Sequence, residues 1–276
     1  MICPIKISTA LPVILLLLKS CTTQSSIKST AEFSQSFATF SSQQLSSQIN
    51  RRNPDQNIVC QIIVYLKRAL NQSAEAKCLV YKGLIDMVKR NPTFMVQVAD
   101  LLHSHAKNIP KILLAKNFAE VFGKAGVLLK HPLPQLLQAF GTLQRILIGQ
   151  AYTATTRSQV NSQKFRDDEL TRKIEEFINE VLEQALEKDL EDLSLDKVAF
   201  TETGNQGSNK VKIHLVFAQM MLQLYDVLIA IVWGDGTLDN EDTVKRMANL
   251  AAKKKKLIEV LNECNKTNKE KKAKNQ

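Results

Sequence analysis

A stripe of apolar residues at helical spacing limits this chain more than anything else in it. Leu170, Ile174, Phe177, Ile178, Val181, Leu182, Ala185, Leu186 and Leu190 recur every three or four positions. That is the 3.6-residue period of an α-helix and not the alternation of a strand. The stripe predicts a helix over Asp167–Leu193, with Asp167, Asp168 and Glu169 in its first turn, where the helix dipole favours carboxylates.

The same period recurs along most of the chain. Ile58, Ile62, Tyr65, Leu66 and Ala69 share one face after Asn53-Pro54. Further helices are predicted over Ala74–Arg90, Thr93–Lys107, Ile112–Phe122, Leu133–Tyr152, Val211–Val232 and Asn240–Asn265. Asn91-Pro92, Pro110, Pro132 and Gly234-Asp235-Gly236 punctuate them. Only 9 Gly and 7 Pro occur in 276 residues, about half of average usage. Sandwiches and barrels need many such turn residues, so the expected fold is all-α. An antiparallel helical array is predicted, either a bundle or an α-solenoid with helix pairs about 40 residues apart.

Four stretches of different character follow. Residues 1–20 hold the apolar run Ala10–Leu18 and read as the last buried helix of something upstream. Residues 21–56 form a polar linker; Ser, Thr, Gln and Asn supply 19 of the residues from 21 to 50, too few apolar groups to order the segment. Residues 57–265 form the helical domain, and residues 266–276 a basic tail expected to fray. The run Ala10–Leu18 is also as long as a signal-peptide core, which would make the chain a secreted or lipid-anchored helical protein. It is too short to cross a bilayer. Against secretion, the five cysteines are odd in number and scattered, as suits a reducing compartment.

The net charge of +10 is unevenly spread. Residues 57–165 carry 14 basic and 4 acidic side chains, whereas residues 166–202 carry 5 and 13. A basic block therefore adjoins an acidic helix, and an anionic partner is expected for the former. The run Lys253-Lys254-Lys255-Lys256 lies within the last helix. Its candidate roles are a phosphate contact to DNA or nuclear import, set against a solvated helix end. With Leu250, Leu257 and Leu261 as the stripe, Lys254 is the lysine expected to snorkel.

Catalytic signatures are lacking. No phosphate-binding glycine loop, dinucleotide fingerprint or nucleophile elbow occurs in the sequence. His103 and His105 point about 200° apart on a helix and read as ordinary surface histidines. Asp235–Asp242 lacks the ligand order of a calcium loop. No enzyme activity, cofactor or metal is expected.

Within residues 21–50 four Ser/Thr-Gln dipeptides begin at Thr23, Ser34, Ser42 and Ser47, and two more begin at Ser158 and Ser162. About two are expected by chance from the composition of this window. Phosphate there would add negative charge beside the basic block.

Several segments together resemble the Fanconi anaemia complementation group I family. They are the leucine run ending at Lys19 with its Ser/Gln-rich sequel, Cys78–Asn91 (CLVYKGLIDMVKRN), Leu190–Phe200 (LEDLSLDKVAF) and Lys256–Glu263 (KLIEVLNE). They occur in the family's order. The resemblance implies the end of one solenoid followed by a helical domain, within a non-enzymatic scaffold for repair of DNA interstrand crosslinks. It implies a D-type paralogue as partner, DNA bound through the full-length protein, no membrane and a nuclear setting. It further implies checkpoint kinases acting on Thr23, Ser34, Ser42 and Ser47. The family's ubiquitin-acceptor lysine precedes the leucine run; Lys6 is the nearest lysine here, with a spacing two residues longer. A generic helical adaptor is the alternative.

Overall fold

The computed structural model describes residues 65–107, 109, 129–154, 161–200, 207–234 and 240–274. Among these there are α-helices and two 3-10 turns and no β-strand, so the fold is all-α. The segments 1–20 and 21–56 and the helix predicted over Ile112–Phe122 lie outside the described residues. Of the first predicted helix, residues 65–69 are described and are helical.

Six longer helices follow: α1 (Ala74–Arg90), α2 (Met95–Lys107), α3 (Leu133–Ala154), α4 (Asn161–Glu187), α5 (Gly207–Gly234) and α6 (Glu241–Lys274). They build two compact units. The first holds the described residues up to Ile109 together with those from Ala139 to Phe177. The second holds residues 129–138 and the described residues from Ile178 onward.

In the first unit, α1 begins where Ser73 caps it. The Ser73 hydroxyl accepts from the Ala76 N–H at 3.3 Å, satisfying a donor that the first turn leaves free. The helix stops at Asn91, whose N–H donates to Met87 O at 2.9 Å, because Pro92 cannot continue it. A 3-10 turn, Pro92–Phe94, then leads into α2. Val80, Tyr81, Leu84 and Val88 of α1 are buried, as are Val98 and Leu102 of α2, Phe140 and Leu143 of α3 and Ile174 of α4. Each such side chain contributes about 1.5–3 kcal/mol by leaving water. The rings of Phe140 and Phe177 pack 4.6 Å apart between centroids, within the range of a favourable tilted pair.

The second unit centres on α5, whose Met221, Leu224, Tyr225 and Leu228 are fully enclosed. The stretch Lys210–Gly234 is long and apolar enough to cross a membrane by length and composition, with half of its most apolar window buried within the fold. α6 packs beside α5 as an antiparallel hairpin. Asn240 starts α6, its side-chain oxygen accepting from Asp242 N–H at 3.0 Å, and Glu241 and Asp242 occupy the first turn. Gln135 of α3 donates to Gln223 of α5 at 3.2 Å.

The largest differences from the boundaries read in the sequence lie in α4 and α6; α5 also begins at Gly207, four residues before the expected Val211. α4 starts at Asn161 and ends at Glu187. Asp167, Asp168 and Glu169 therefore follow its first turn, and residues 153–154 and 161–165, between the helices predicted to end at Tyr152 and to start at Asp167, are helical. α6 continues to Lys274 through the stretch expected to fray. An apolar stripe marks where a helix is packed, whereas Lys, Glu and Gln propagate a helix beyond that point.

The early end of α4 has a further cause. Residues 190–195 form a separate turn closed in the Schellman manner, with Leu195 N–H donating to Leu190 O at 2.8 Å and Ser194 N–H to Glu191 O at 3.0 Å. Ser194 takes the left-handed conformation this requires (φ 51°). Leu190 and Leu195, the two apolar residues such a motif brings together, are both buried. The stripe thus runs on to Leu190 although the helix has already turned.

Candidate functional site

The four-lysine run is placed on α6, in the second unit. Lys253 is its most enclosed member, with a side chain 12% exposed. Its ammonium donates to three backbone carbonyls, those of Ala185 (3.3 Å), Leu186 (2.5 Å) and Lys188 (2.7 Å). These belong to the last turn of α4 and the residue beyond it. The last four carbonyls of a helix have no partner within it and carry the negative end of its dipole. A cation supplied by another helix therefore closes α4. The Asp189 carboxylate, 3.5 Å away, adds an opposite charge.

Lys254 pairs with Asp226 of α5. Lys256 lies 3.4 Å from Glu191 in the turn after α4, and Lys197 of the same segment pairs with Glu263. Lys255 is 80% exposed and, among the described residues, reaches Glu259 on its own helix, at 3.9 Å. The inward residue of the run is thus Lys253 and not Lys254. The seam of α6 is Leu250, Leu257, Val260 and Cys264, whereas Leu261 is only half-buried. With Val260 on the seam, the position between Leu250 and Leu257 that faces inward is 253. Nothing in the local sequence names the carbonyls it meets, which lie some 65 residues upstream.

Thr23, Ser34, Ser42, Ser47 and Lys6 lie outside the described residues. The basic and acidic segments meet in the first unit through a pair of opposite polarity to their net charges, a lysine of the acidic segment on an aspartate of the basic one. Lys173 of α4 lies 3.2 Å from Asp100 of α2 and 3.0 Å from Glu169. Its amine is pushed down by burial and up by these carboxylates, and the net shift is upward. Otherwise Glu175, Glu176, Glu180, Glu183 and Glu187 of α4 are exposed, as are Lys82, Lys89 and Arg90 of α1. Lys77, by contrast, is buried.

His105 differs from the surface histidine expected. It is buried, and its Nε2 forms a 2.9 Å hydrogen bond with the Tyr81 hydroxyl. Burial, with Lys77 adding to it, pushes the imidazole down to about 4, so it is neutral near pH 7. Burial likewise raises the Tyr81 phenol. His103 is half-buried on a different face of α2. Among the described residues no group of three or more His, Cys, Asp or Glu is placed to hold a metal. The Tyr225 hydroxyl is buried without a hydrogen-bond partner among the described residues. Burial first, and Asp189 second, push its phenol up to about 12.

Lys253 caps a helix end, Lys173, Lys254 and Lys256 pair with acids of other segments, and His105 with Tyr81 joins two helices. That arrangement defines a helical structural domain whose chemistry holds helices together. Residues 30–262 match the family described as FANCI helical domain 2, and the chain therefore belongs to the Fanconi anaemia group I family. The mouse (Mus musculus) Fanconi anemia group I protein homolog is 25% identical over 154 residues, covering 53% of this chain. The chain spans only 11% of that relative's length. Ser34, Ser42 and Ser47 fall inside the matched range, whereas Thr23 and Lys6 precede it.

Proposed function

We propose that this chain is a non-enzymatic helical scaffold acting in repair of DNA interstrand crosslinks. Its partner is the D-type paralogue of the family, and its setting is nuclear. The observation that carries this reading is the family match over residues 30–262, which takes in part of the Ser/Thr-Gln cluster as well as the helical units. Checkpoint kinases acting on Thr23, Ser34, Ser42 and Ser47 regulate the scaffold. Lys6 is the candidate ubiquitin acceptor.

Phosphate adds about −1.5 to −2 charge per site. A phosphorylated cluster ahead of the basic residues 57–165 then competes for the surface that an anionic partner uses. Incubating the purified chain with a Ser/Thr-Gln-directed checkpoint kinase, followed by peptide mapping, tests the regulatory claim. Phosphate is expected at Ser34, Ser42 and Ser47 and also at Thr23. Complete absence from all four sites would remove it. Co-purification with the D-type paralogue from nuclear extract tests the scaffold claim, and failure to recover the pair refutes it.

A further inference from the structure

We propose that the lysine run of α6 is a masked anion site: the protein's own carbonyls and carboxylates occupy it, and an outside polyanion gains it only when they let go. A sequence of four lysines near a basic tail reads as an open cationic patch. The geometry points the other way, because three of the four ammonium groups are engaged by atoms from other elements.

The engagement is ordered along the helix. Lys253, Lys256 and Glu263 fall on one side of α6, since three and ten residues amount to about 300° and 1000° of rotation. Going up that side, Lys253 meets the segment at Ala185–Asp189, Lys256 meets Glu191, and Glu263 meets Lys197. The segment from the end of α4 to Lys197 therefore runs alongside α6 for about 15 Å of its length. Its contacts alternate in sign as α6 does, with lysines against carbonyls and carboxylates and a glutamate against a lysine. On the α5 side Asp226 takes Lys254.

The contacts differ in how readily they yield. Lys253 is the firmest, since an anion at its ammonium must displace three carbonyls at a helix end. The pairs at Lys254 and Lys256 are more open, with side chains 31% and 56% exposed, and such pairs are weak in water. A competing polyanion takes these two first. Lys255 is available throughout. The run thus offers one cation at rest and three once Asp226 and Glu191 are neutralised or displaced. It is a graded site set by the protein's internal acids.

Two measurements test this on the full chain. The first needs no substitution: pulse labelling of lysine amines with an acylating reagent, read peptide by peptide by mass spectrometry. Lys255 is expected to react first, with Lys253 at least about tenfold slower, as for a group exposed only by local opening. Equal rates at all four lysines overturn the proposal.

The second compares two variants of equal charge for binding to heparin across a salt series. Asp189→Asn with Glu191→Gln and Asp226→Asn unmasks the run. Glu175→Gln with Glu176→Gln and Glu183→Gln removes the same charge from the exposed face of α4. Counterion release makes the salt slope count the cations engaged. The unmasked variant is expected to be steeper by about two, for Lys254 and Lys256. Identical slopes overturn the proposal, whatever affinity the unsubstituted chain shows for DNA. If circular dichroism shows the unmasked variant misfolded, the labelling order decides.

Discussion

Replacing Lys253 by methionine isolates the capping of α4. Methionine keeps the apolar stem that lies beside Leu250 and Leu257 but has no donor. Three carbonyls then lose their charged partner: those of Ala185, Leu186 and Lys188. A hydrogen bond from a charged group contributes about 1.5–3 kcal/mol where burial is good. A cation at a helix C-terminus adds about 0.3–1 kcal/mol, up to roughly 2 in partly buried geometry. These terms overlap, because the same ammonium supplies both, and water replaces part of the loss at a helix end. A net cost of about 2 kcal/mol is expected. Lys255→Met is the internal control. Its side chain is exposed and its one ion pair is long, so its removal costs about 0–0.5 kcal/mol. Urea unfolding followed by far-ultraviolet circular dichroism reads both variants at matched pH and salt. If the two midpoints agree within about 0.5 kcal/mol, the capping argument is wrong, and the lysine is a passenger on α6.

Further tests address single residues. Ser194 is exposed and left-handed, a conformation that costs an L-residue about 1–2 kcal/mol. Ser194→Gly should raise the unfolding midpoint by about 0.5 kcal/mol after glycine's own entropy cost, and Ser194→Val should lower it; equal midpoints would refute a left-handed turn. Tyr225→Phe removes a buried hydroxyl without a partner among the described residues, so stability should hold or gain up to about 1 kcal/mol; a loss above that would reveal a hydrogen bond. His105 is depressed to about 4 in the fold and titrates near 6.5 when unfolded. Between those values the unfolded chain binds more protons, so stability falls as pH drops from 6.5 towards 4. The loss is on the order of 2 kcal/mol, is smaller in His105→Gln, and would show as a difference in urea midpoint against pH.

Much of this fold is legible in the sequence wherever packing and punctuation coincide. The helix Ala74–Arg90 falls where it is predicted because Ser73, Asn91 and Pro92 bound an apolar face on both sides. α4 is found at once yet placed six residues late at its start, since its first turns carry no stripe. Its end is misread because Leu190, Leu193 and Leu195 stay buried after the helix has closed. The lysine run shows what linear pattern leaves out. Periodicity tells that one lysine points inward, but whether 253 or 254 does so turns on Val260 rather than Leu261 joining the seam. What it touches is set by tertiary packing. His105 is similar, since its partner Tyr81 lies 24 residues away on another helix.

The apolar character of α5 has a consequence for biosynthesis. Lys210–Gly234 emerges from the ribosome before α6 does. For that interval the nascent chain presents a segment that membrane-targeting factors and chaperones recognise by the same hydropathy. The turn Val198–Phe200 already packs against it, but the cover supplied by α6 arrives only roughly one to five seconds of synthesis later at the usual elongation rates. The hairpin with α6 therefore serves as the step that withdraws this segment from such competitors. Substitutions that slow α6 docking would show first as lost yield or mislocalised chains, before any change in the stability of the finished domain.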